Sequence, residues 1–299
     1  MKILLLGKDG QVGWELQRAL APLGEVVALD FDSPGPLSAD FSRPESLAAT
    51  VRAVAPQVIV NAAAHTAVDK AEGEPDLART INAAAPRILA REALELAAWL
   101  VHYSTDYVFD GSGTDAWTEC SPTGPLNVYG QTKLEGEQAI RQSGCRHLIF
   151  RTSWVYGARG GNFARTMLKL ASERDELTVI DDQIGSPTGA DLLADVTAHA
   201  VWTAVARPEV AGTYHAVAAG DTSWFGYARH VIEFARDAGV TVKVAPGAIR
   251  PVATSAFPTP ARRPGNSRMN TAKLRGTFGL VLPPWQCGVD RMLTELLGR

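Results

Sequence analysis

The chain has few cysteines and no long hydrophobic run. Its 299 residues include three scattered cysteines, Cys120, Cys145 and Cys287, and no Cys-x-x-Cys pair. This pattern excludes a disulfide framework and a typical zinc site, and it favours a reducing compartment. No apolar run reaches the ~18 residues of a membrane-spanning helix, and the N-terminus lacks the long apolar core of a signal peptide. We therefore expect a soluble, cytoplasmic protein without a membrane partner.

An excess of charge of one sign is also missing. The formal net charge is −3, and no block of like charges occurs in the sequence. Nucleic acids and anionic membranes attract basic patches, so neither is expected as a partner. The hydrophobic fraction of 46% is that of an ordinary globular protein.

Alternating strand and helix patterns are what the sequence does contain. The run "KILLL" at 2–6 predicts a strand that is buried on both faces, and amphipathic helical runs separate it from similar runs such as "EVVALD" and "QVIVN". Strands that alternate with helices predict an α/β fold with a doubly wound parallel sheet, which is Rossmann-like. The pattern becomes less regular after about residue 156, and no internal repeat is found.

A glycine-rich turn follows the first predicted strand. The segment "GKDGQVG" places Gly7, Gly10 and Gly13 in a GxxGxxG spacing where the first helix begins. These glycines allow a tight turn, the approach of a pyrophosphate and close helix packing, while the helix N-terminus attracts phosphates. Asp30 ends the second strand, where a carboxylate can bind ribose hydroxyls. A turn without ligand is the alternative, but the combination favours a dinucleotide site.

The choice between NADH and NADPH stays open. Asp30 disfavours a 2′-phosphate, which argues mildly for NADH, whereas Lys8 or Arg18 could accommodate the additional phosphate of NADPH.

Tyr129 and Lys133, in the segment "NVYGQTK", lie four residues apart and so share one face of a predicted helix. In isolation the pair fits an ordinary surface contact equally well. A neighbouring ammonium favours a phenolate, however, and Lys133 together with an oxidised nicotinamide would lower the tyrosine pKa from its usual ~10. Ser104 and Thr105 end an earlier strand, where a hydroxyl could hydrogen-bond and polarise a carbonyl group. This setting favours a proton relay.

Several motifs together resemble the extended short-chain dehydrogenase/reductase superfamily: "GKDGQVG", "NAAAHTAVDKAE", "STDYVFDG", "NVYGQTK" and "RTSWVYG". Within it the sequence is most similar to the dTDP-4-dehydrorhamnose reductase family, over nearly the whole chain. The resemblance implies that NAD(P)H reduces the C4 keto group of dTDP-4-dehydro-L-rhamnose, the last step of dTDP-rhamnose biosynthesis for cell-surface polysaccharide. It also implies an oxidoreductase with Thr105, Tyr129 and Lys133 as catalytic residues.

The resemblance assigns further binding residues, and the loop "PTPARRPG" adds an arginine that could clamp a diphosphate. The cofactor set comprises Gly7, Gly10, Gln11, Val12, Gly13, Asp30, Asp40, Phe41, Ala62, Ala63, Ala64, Tyr129 and Lys133. The substrate set comprises Thr105, Asp106, Trp154 and Arg262.

A magnesium ion at a subunit contact is implied by the same resemblance. Glu15 and Asp191 match its carboxylate ligands, although Asp191 is shorter than the usual glutamate. We therefore list Mg²⁺ and a homodimer among the expectations.

Three alternatives remain at this point. Dehydratases of the superfamily carry a glutamate where this chain has Tyr107, which favours reduction over dehydration. A dinucleotide-binding regulatory subunit of methionine adenosyltransferase is a second reading, and a reductase or epimerase of another nucleotide sugar is a third. The predicted division of the chain is a dinucleotide-binding domain at 1–154 and a smaller, partly interleaved substrate-binding domain at 155–299, with segments that return to the first.

Overall fold

A computed structural model describes residues 1–298, and it shows the alternation of strands and helices that the sequence predicts. The strands are β1 (Lys2–Leu6), β2 (Glu25–Leu29), β3 (Val58–Asn61), β4 (Trp99–Thr105), β5 (Arg146–Thr152), β6 (Val155–Tyr156), β7 (Leu177–Ile180), β8 (Ile184–Gly185), β9 (Thr188–Gly189), β10 (Gly212–His215), β11 (Thr222–Ser223) and β12 (Ile249–Val252). The helices are α1 (Gln11–Leu20), α2 (Pro44–Val54), α3 (Val68–Gly73), α4 (Pro75–Arg79), α5 (Ala85–Glu95), α6 (Val128–Ser143), α7 (Phe163–Glu173), α8 (Ala190–Ala206), α9 (Trp224–Asp237), α10 (Ala272–Phe278) and α11 (Trp285–Leu297).

Six parallel strands form the central sheet, in the order β10-β5-β4-β3-β1-β2. The chain leaves β1 toward β2 on one side and then returns to place β3 on the other side. In open parallel sheets, ligands bind outside the carboxyl ends of the strands at such a switch point. The turn after β1 and the segment after β3 meet there, which confirms the predicted fold class and positions the glycine-rich turn.

Helices cover both faces of the sheet, because its strands carry apolar side chains on both sides. Ile3 and Leu5 of β1 pack with α1 and α8 in one core, while Leu4 and Leu6 pack with α2, α5 and α6 in the other. All four side chains are fully buried. This arrangement explains why "KILLL" is apolar at every position after the lysine rather than at alternate positions.

Segments of the second half of the chain return to the first. Strand β10 pairs with β5, and α8 packs against α1. A third core gathers α7, α9 and α11 with β7 and β12. Within residues 1–298, no helix is both long enough and apolar enough to cross a membrane.

The helical segment at 75–95 is interrupted before Pro86. Helix α4 is followed by a π-helical turn at Thr80–Ala84, and α5 begins at Ala85 with Pro86 as its second residue. Proline is tolerated in a first helical turn because its missing N–H has no partner there. The wide turn directs Asn82 inward, where its amide group bonds the backbone of His65 and the hydroxyl of Thr132 on α6. It therefore connects α6 to the segment after β3.

Candidate active site

The glycine-rich turn has the geometry that the spacing predicts. Gly7 has a φ of +87°, and a Cβ at Gly13 would lie 1.8 Å from the carbonyl oxygen of Gly7. Gly10 is the N-cap residue of α1. A Cβ at Gly10 would contact only the carbonyl oxygen of Gly7, at 3.5 Å. Gly7 and Gly13 are thus required by packing, while Gly10 leaves open space at a helix N-terminus that is suited to a phosphate.

Asp30 is held beside this turn. Its carboxylate accepts hydrogen bonds from the backbone N–H of Asp9 at 3.0 Å and from that of Phe31 at 2.8 Å. The Lys8 ammonium pairs with the carboxylate of Asp9, which places Lys8 close to Asp30. Arg18 instead lies in the last turn of α1 and bonds Asp195 at 2.9 Å, so the expectation that it accommodates a 2′-phosphate is wrong.

Asp40 and Phe41 follow β2 with side chains that are already engaged. The Asp40 carboxylate accepts hydrogen bonds from Ser42 and Arg43. These contacts lower the pKa of Asp40, and the Ser42 hydrogen bond has the largest effect. The Phe41 ring is 5% exposed and belongs to the core beneath α2 and α5. These two residues can therefore offer mainly their backbone to a cofactor.

The remaining predicted cofactor residues surround the switch point. Gln11 begins α1 with its amide oxygen buried and unpaired, and Val12 packs against the core. The segment Ala62–Ala64 continues from β3, half-buried, with the Ala62 N–H bonded to the Leu6 carbonyl at 2.9 Å. A buried polar atom without a partner is costly unless a ligand satisfies it, so Gln11 is well placed for a polar ligand.

Thr105, Tyr129 and Lys133 meet at the carboxyl edge of the sheet. Thr105 is the last residue of β4, and its hydroxyl donates to Asp106 at 2.9 Å. Asn127 caps α6 by accepting from the Gly130 N–H at 2.8 Å, so that Tyr129 lies in the first turn and Lys133 in the second. The structure thus brings the three predicted catalytic residues together.

Lys133 points away from Tyr129 toward the sheet. Its Nζ donates to the carbonyl oxygen of Tyr103 at 2.6 Å and lies 3.4 Å from Nε2 of His102. Among residues 1–298, no hydrogen bond joins Lys133 to Tyr129. The two side chains are therefore not in direct contact as a proton relay.

Burial dominates the ionisation of Tyr129 and Lys133 in the cofactor-free protein. Burial raises the pKa of Tyr129 to about 12, although the nearby Thr105 hydroxyl acts in the opposite direction. Burial lowers the pKa of Lys133 to about 8, while Glu137 acts in the opposite direction. Tyr129 is therefore fully protonated near neutral pH, which is the form that a proton donor requires.

The buried carboxyl group of Asp106 and the indole rings of Trp154 and Trp224 lie on the side of the candidate site where a sugar could bind. Asp106 is 2% exposed, one of its oxygens has no partner, and burial raises its pKa to about 6. Trp154 has a left-handed backbone with a φ of +49°, and its ring stacks on Trp224 at 3.6 Å. Strained backbone conformations often occur at functional sites. Asp106 and Trp154 are therefore well placed for a sugar, and Trp224 extends the stack.

The proline-rich loop reaches the site through Arg263, while the Arg262 side chain is exposed. Arg263 binds the Asp69 carboxylate at 3.0 and 2.7 Å. The Arg262 carbonyl accepts from the Asn127 side chain at 2.8 Å, which places this residue beside the start of α6. Arg262 makes no side-chain hydrogen bond within residues 1–298, so its guanidinium is available for a ligand.

Several supporting residues were missed by sequence reasoning. Glu72 accepts from the Val128 N–H at 2.8 Å, and Asp69 holds the proline-rich loop through Arg263. Neither contact has a local signal, since each crosses more than fifty residues. Asn127 could have been found, because an asparagine before a helical run is a common N-cap.

The residues expected to hold magnesium do not form a metal site in one chain. Glu15 and Asp191 line the same small cavity, but Glu15 pairs with Arg18 at 3.4 Å and Asp191 with Arg291 at 3.5 Å. No cluster of three or more metal-ligating side chains occurs within residues 1–298. The residues present therefore do not fit the expected ion without further ligands.

Comparison with known proteins agrees with this geometry. The model of the RmlD substrate binding domain family matches residues 1–297. The dTDP-4-dehydrorhamnose reductase of Escherichia coli (strain K12) is 59% identical over 296 residues, which cover 99% of this chain and 98% of that protein. The chain belongs to the dTDP-4-dehydrorhamnose reductase family.

Other members of this reductase family agree in sequence and in fold. The dTDP-4-dehydrorhamnose reductase of Burkholderia thailandensis is 46% identical, with full coverage of both chains. The crystal structure of the Clostridium acetobutylicum enzyme superposes with a TM-score of 0.88 at 35% identity, covering 100% of both chains. The enzyme of Bacillus anthracis, solved in complex with NADP, gives a TM-score of 0.86 at 34% identity over 98% of this chain and 99% of that one.

Proposed function

We propose that this protein uses NADPH or NADH to reduce the C4 keto group of dTDP-4-dehydro-L-rhamnose to dTDP-L-rhamnose. The observation that carries the proposal is that Thr105, Tyr129 and Lys133 lie at the edge of the sheet where the glycine-rich turn also lies, in a chain that is 59% identical to a dTDP-4-dehydrorhamnose reductase. A nicotinamide dinucleotide would supply a hydride to the carbonyl carbon. The complex of the Bacillus anthracis relative with NADP supports this cofactor class.

The side chains of the site divide the remaining work. Tyr129, protonated because its pKa lies near 12, donates its proton to the carbonyl oxygen as the hydride reaches the carbon. The Thr105 hydroxyl, positioned at a rigid strand end, hydrogen-bonds and polarises the same oxygen. Lys133 would bind the nicotinamide ribose, and the C=O group would become a hydroxyl group by the addition of one hydride and one proton.

The three other functional readings are less well supported. A regulatory subunit would need the dinucleotide site but not a gathered set of proton-donating and carbonyl-polarising side chains. Tyr107 packs edge-on against Tyr129, with ring centroids 5.5 Å apart, and burial raises its pKa, so it cannot act as the base of a dehydratase. A ketoreductase of another dTDP-sugar remains the runner-up, since a Streptomyces antibioticus protein named as a probable 4-ketoreductase is 37% identical.

The test compares wild type with Tyr129→Phe and Tyr107→Phe. Oxidation of NADPH and of NADH is followed by absorbance, with dTDP-4-dehydro-L-rhamnose generated in the assay. We expect turnover by wild type, a loss of at least ~100-fold in Tyr129→Phe with cofactor affinity retained, and little loss in Tyr107→Phe. Turnover of another dTDP-keto sugar in preference to this one would refute the substrate assignment.

We also propose a cytoplasmic location and a homodimer. Cys120, Cys145 and Cys287 are all unpaired, as is usual in reducing compartments. Glu15 and Asp191 would need carboxylates from a second chain to bind Mg²⁺. Sedimentation in the presence of Mg²⁺ and in the presence of a chelator tests this proposal. The same oligomeric state under both conditions would refute a role for Mg²⁺ in dimer formation.

A further inference from the structure

Behind Lys133, two buried side chains continue a hydrogen-bonded row into the sheet. Asn61 ends β3 and His102 lies directly opposite it on β4, and each is 1% exposed. The Asn61 Nδ2 lies 3.0 Å from the His102 Nδ1, and the His102 Nε2 lies 3.4 Å from the Lys133 Nζ. The mechanism described above assigns no role to either residue.

The backbone determines the direction of these hydrogen bonds. The Ala63 N–H donates to the Asn61 Oδ1 at 3.1 Å. An N–H can only donate, so the amide oxygen of Asn61 faces Ala63 and its NH₂ group faces His102. The His102 Nδ1 must therefore accept. A neutral imidazole carries a single N–H, which then lies on Nε2 and points at Lys133.

His102 stays neutral in this position. Burial lowers its pKa well below the ordinary value. The ring is therefore locked in one tautomer by a partner that can only donate to it.

This tautomer has a consequence for Lys133. An ammonium group has three N–H bonds and no lone pair, so it would face the His102 Nε2–H donor to donor. A neutral amine accepts that hydrogen bond, donates one N–H to the Tyr103 carbonyl at 2.6 Å and keeps one N–H for the cofactor side. The position of Nζ is then determined from two directions.

The other ionisable groups around Lys133 do not oppose this state strongly. Glu137, one turn further along α6, favours the ammonium, but its carboxylate is neutralised by Arg151 of β5 at 2.7 Å and by Arg141 at 3.3 Å. Tyr129, one turn earlier on α6, is uncharged near neutral pH.

We propose that His102, held in its Nε2–H tautomer by Asn61, is a positioning residue that orients the Lys133 side chain and favours its neutral amine over its ammonium form until the cofactor binds. The role of Lys133 in turnover rests on the proposed function, but its protonation state in the cofactor-free protein does not. Burial, which lowers the pKa of Lys133 to about 8, shifts the amine in the same direction.

Two NMR measurements on the cofactor-free protein test the tautomer and the amine. Nitrogen-15 shifts of His102 distinguish the two neutral tautomers, and the Cε carbon-13 shift of Lys133, assigned with Lys133→Arg, reports its ionisation over pH. We expect the Nε2–H tautomer throughout and a Lys133 midpoint at least one pH unit below that of the exposed Lys70. An Nδ1–H tautomer, or an ordinary Lys133 midpoint, would overturn the proposal.

Variants of the row then test causation. In Asn61→Asp, the carboxylate accepts from both Ala63 and the His102 Nδ1–H, which reverses the tautomer and should raise the Lys133 midpoint by at least one pH unit. His102→Leu, which removes the donor, should raise the midpoint by a smaller amount. Adding Asn61→Asp to His102→Leu measures the direct field of the new carboxylate. A reversed tautomer with an unmoved midpoint would contradict the proposal.

The kinetics separate this inference from the proposed function. If both hold, the pH profile of kcat/KM moves with the Lys133 midpoint in each variant, while a merely structural role would change its height but not its position. No turnover by wild type would refute the proposed function and leave the NMR measurements to decide the inference.

Discussion

Replacing Gly13 or Gly10 with alanine should separate packing from ligand binding in the glycine-rich turn. A Cβ at Gly13 would lie 1.8 Å from the Gly7 carbonyl oxygen, whereas real Cβ atoms stay at least 3.0 Å from other heavy atoms. Helix α1 must therefore move away from β1 by more than 1 Å. Overpacking of this kind costs about 3 kcal/mol, and here it also shifts the helix N-terminus that faces the phosphates.

Gly10→Ala is the matched control, because its Cβ would approach only the Gly7 oxygen, at 3.5 Å, and its φ of −69° suits any residue. We expect its unfolding free energy to stay within ~1 kcal/mol of wild type, while its affinity for NADPH falls at least ~10-fold because a methyl group now occupies the phosphate approach.

Urea denaturation and fluorescence titration with NADPH measure the two effects. Wild-type stability in Gly13→Ala would refute the packing argument. Wild-type NADPH affinity in Gly10→Ala would refute the placement of the phosphates at this helix N-terminus.

Three further predictions concern charged groups of the site. Arg151→Met should destabilise the protein by about 3 kcal/mol in urea denaturation, because it leaves the buried Glu137 carboxylate without its strongest partner. A loss of stability below ~1 kcal/mol would contradict the importance of this ion pair. Burial raises the pKa of Asp106 to about 6, so the folded protein binds a proton more tightly than the unfolded chain and loses stability as pH rises from about 4 to about 6. Asp106→Asn should therefore gain on the order of 2 kcal/mol at pH 7 and lose that pH dependence, while activity falls; unchanged stability at pH 7 would refute the assignment. Asp69→Asn should raise the KM for the sugar nucleotide several-fold and change stability by less than ~1 kcal/mol, because it releases Arg263 of a partly exposed pair; an unchanged KM would show that this tether does not shape the site.

The elements of the first half follow closely from local patterns. The strand Lys2–Leu6, the turn with Gly7, Gly10 and Gly13, and the helix that begins at Gln11 lie where the sequence predicts them. Local signals suffice here because a fully apolar run, a glycine spacing and helical periodicity each have one structure that satisfies them.

Elements that depend on distant partners were predicted less completely. The π-helical turn before Pro86 forms where Asn82 bonds His65 and Thr132, and no local pattern encodes those partners. The stacking of Trp154 on Trp224 joins residues that are 70 positions apart in the sequence. The contact of Arg263 with Asp69 joins residues that are even further apart.

The sequence by itself therefore determined the parallel α/β fold, the glycine-rich turn and the choice of candidate catalytic residues, because these depend on periodicity, glycine spacing and motif. Only the tertiary structure decided their protonation and orientation. Tyr129 is protonated, and Lys133 turns toward His102 and Tyr103 rather than toward Tyr129. A pKa depends on burial and on neighbours from other strands and helices, and those neighbours are adjacent only once the chain has folded.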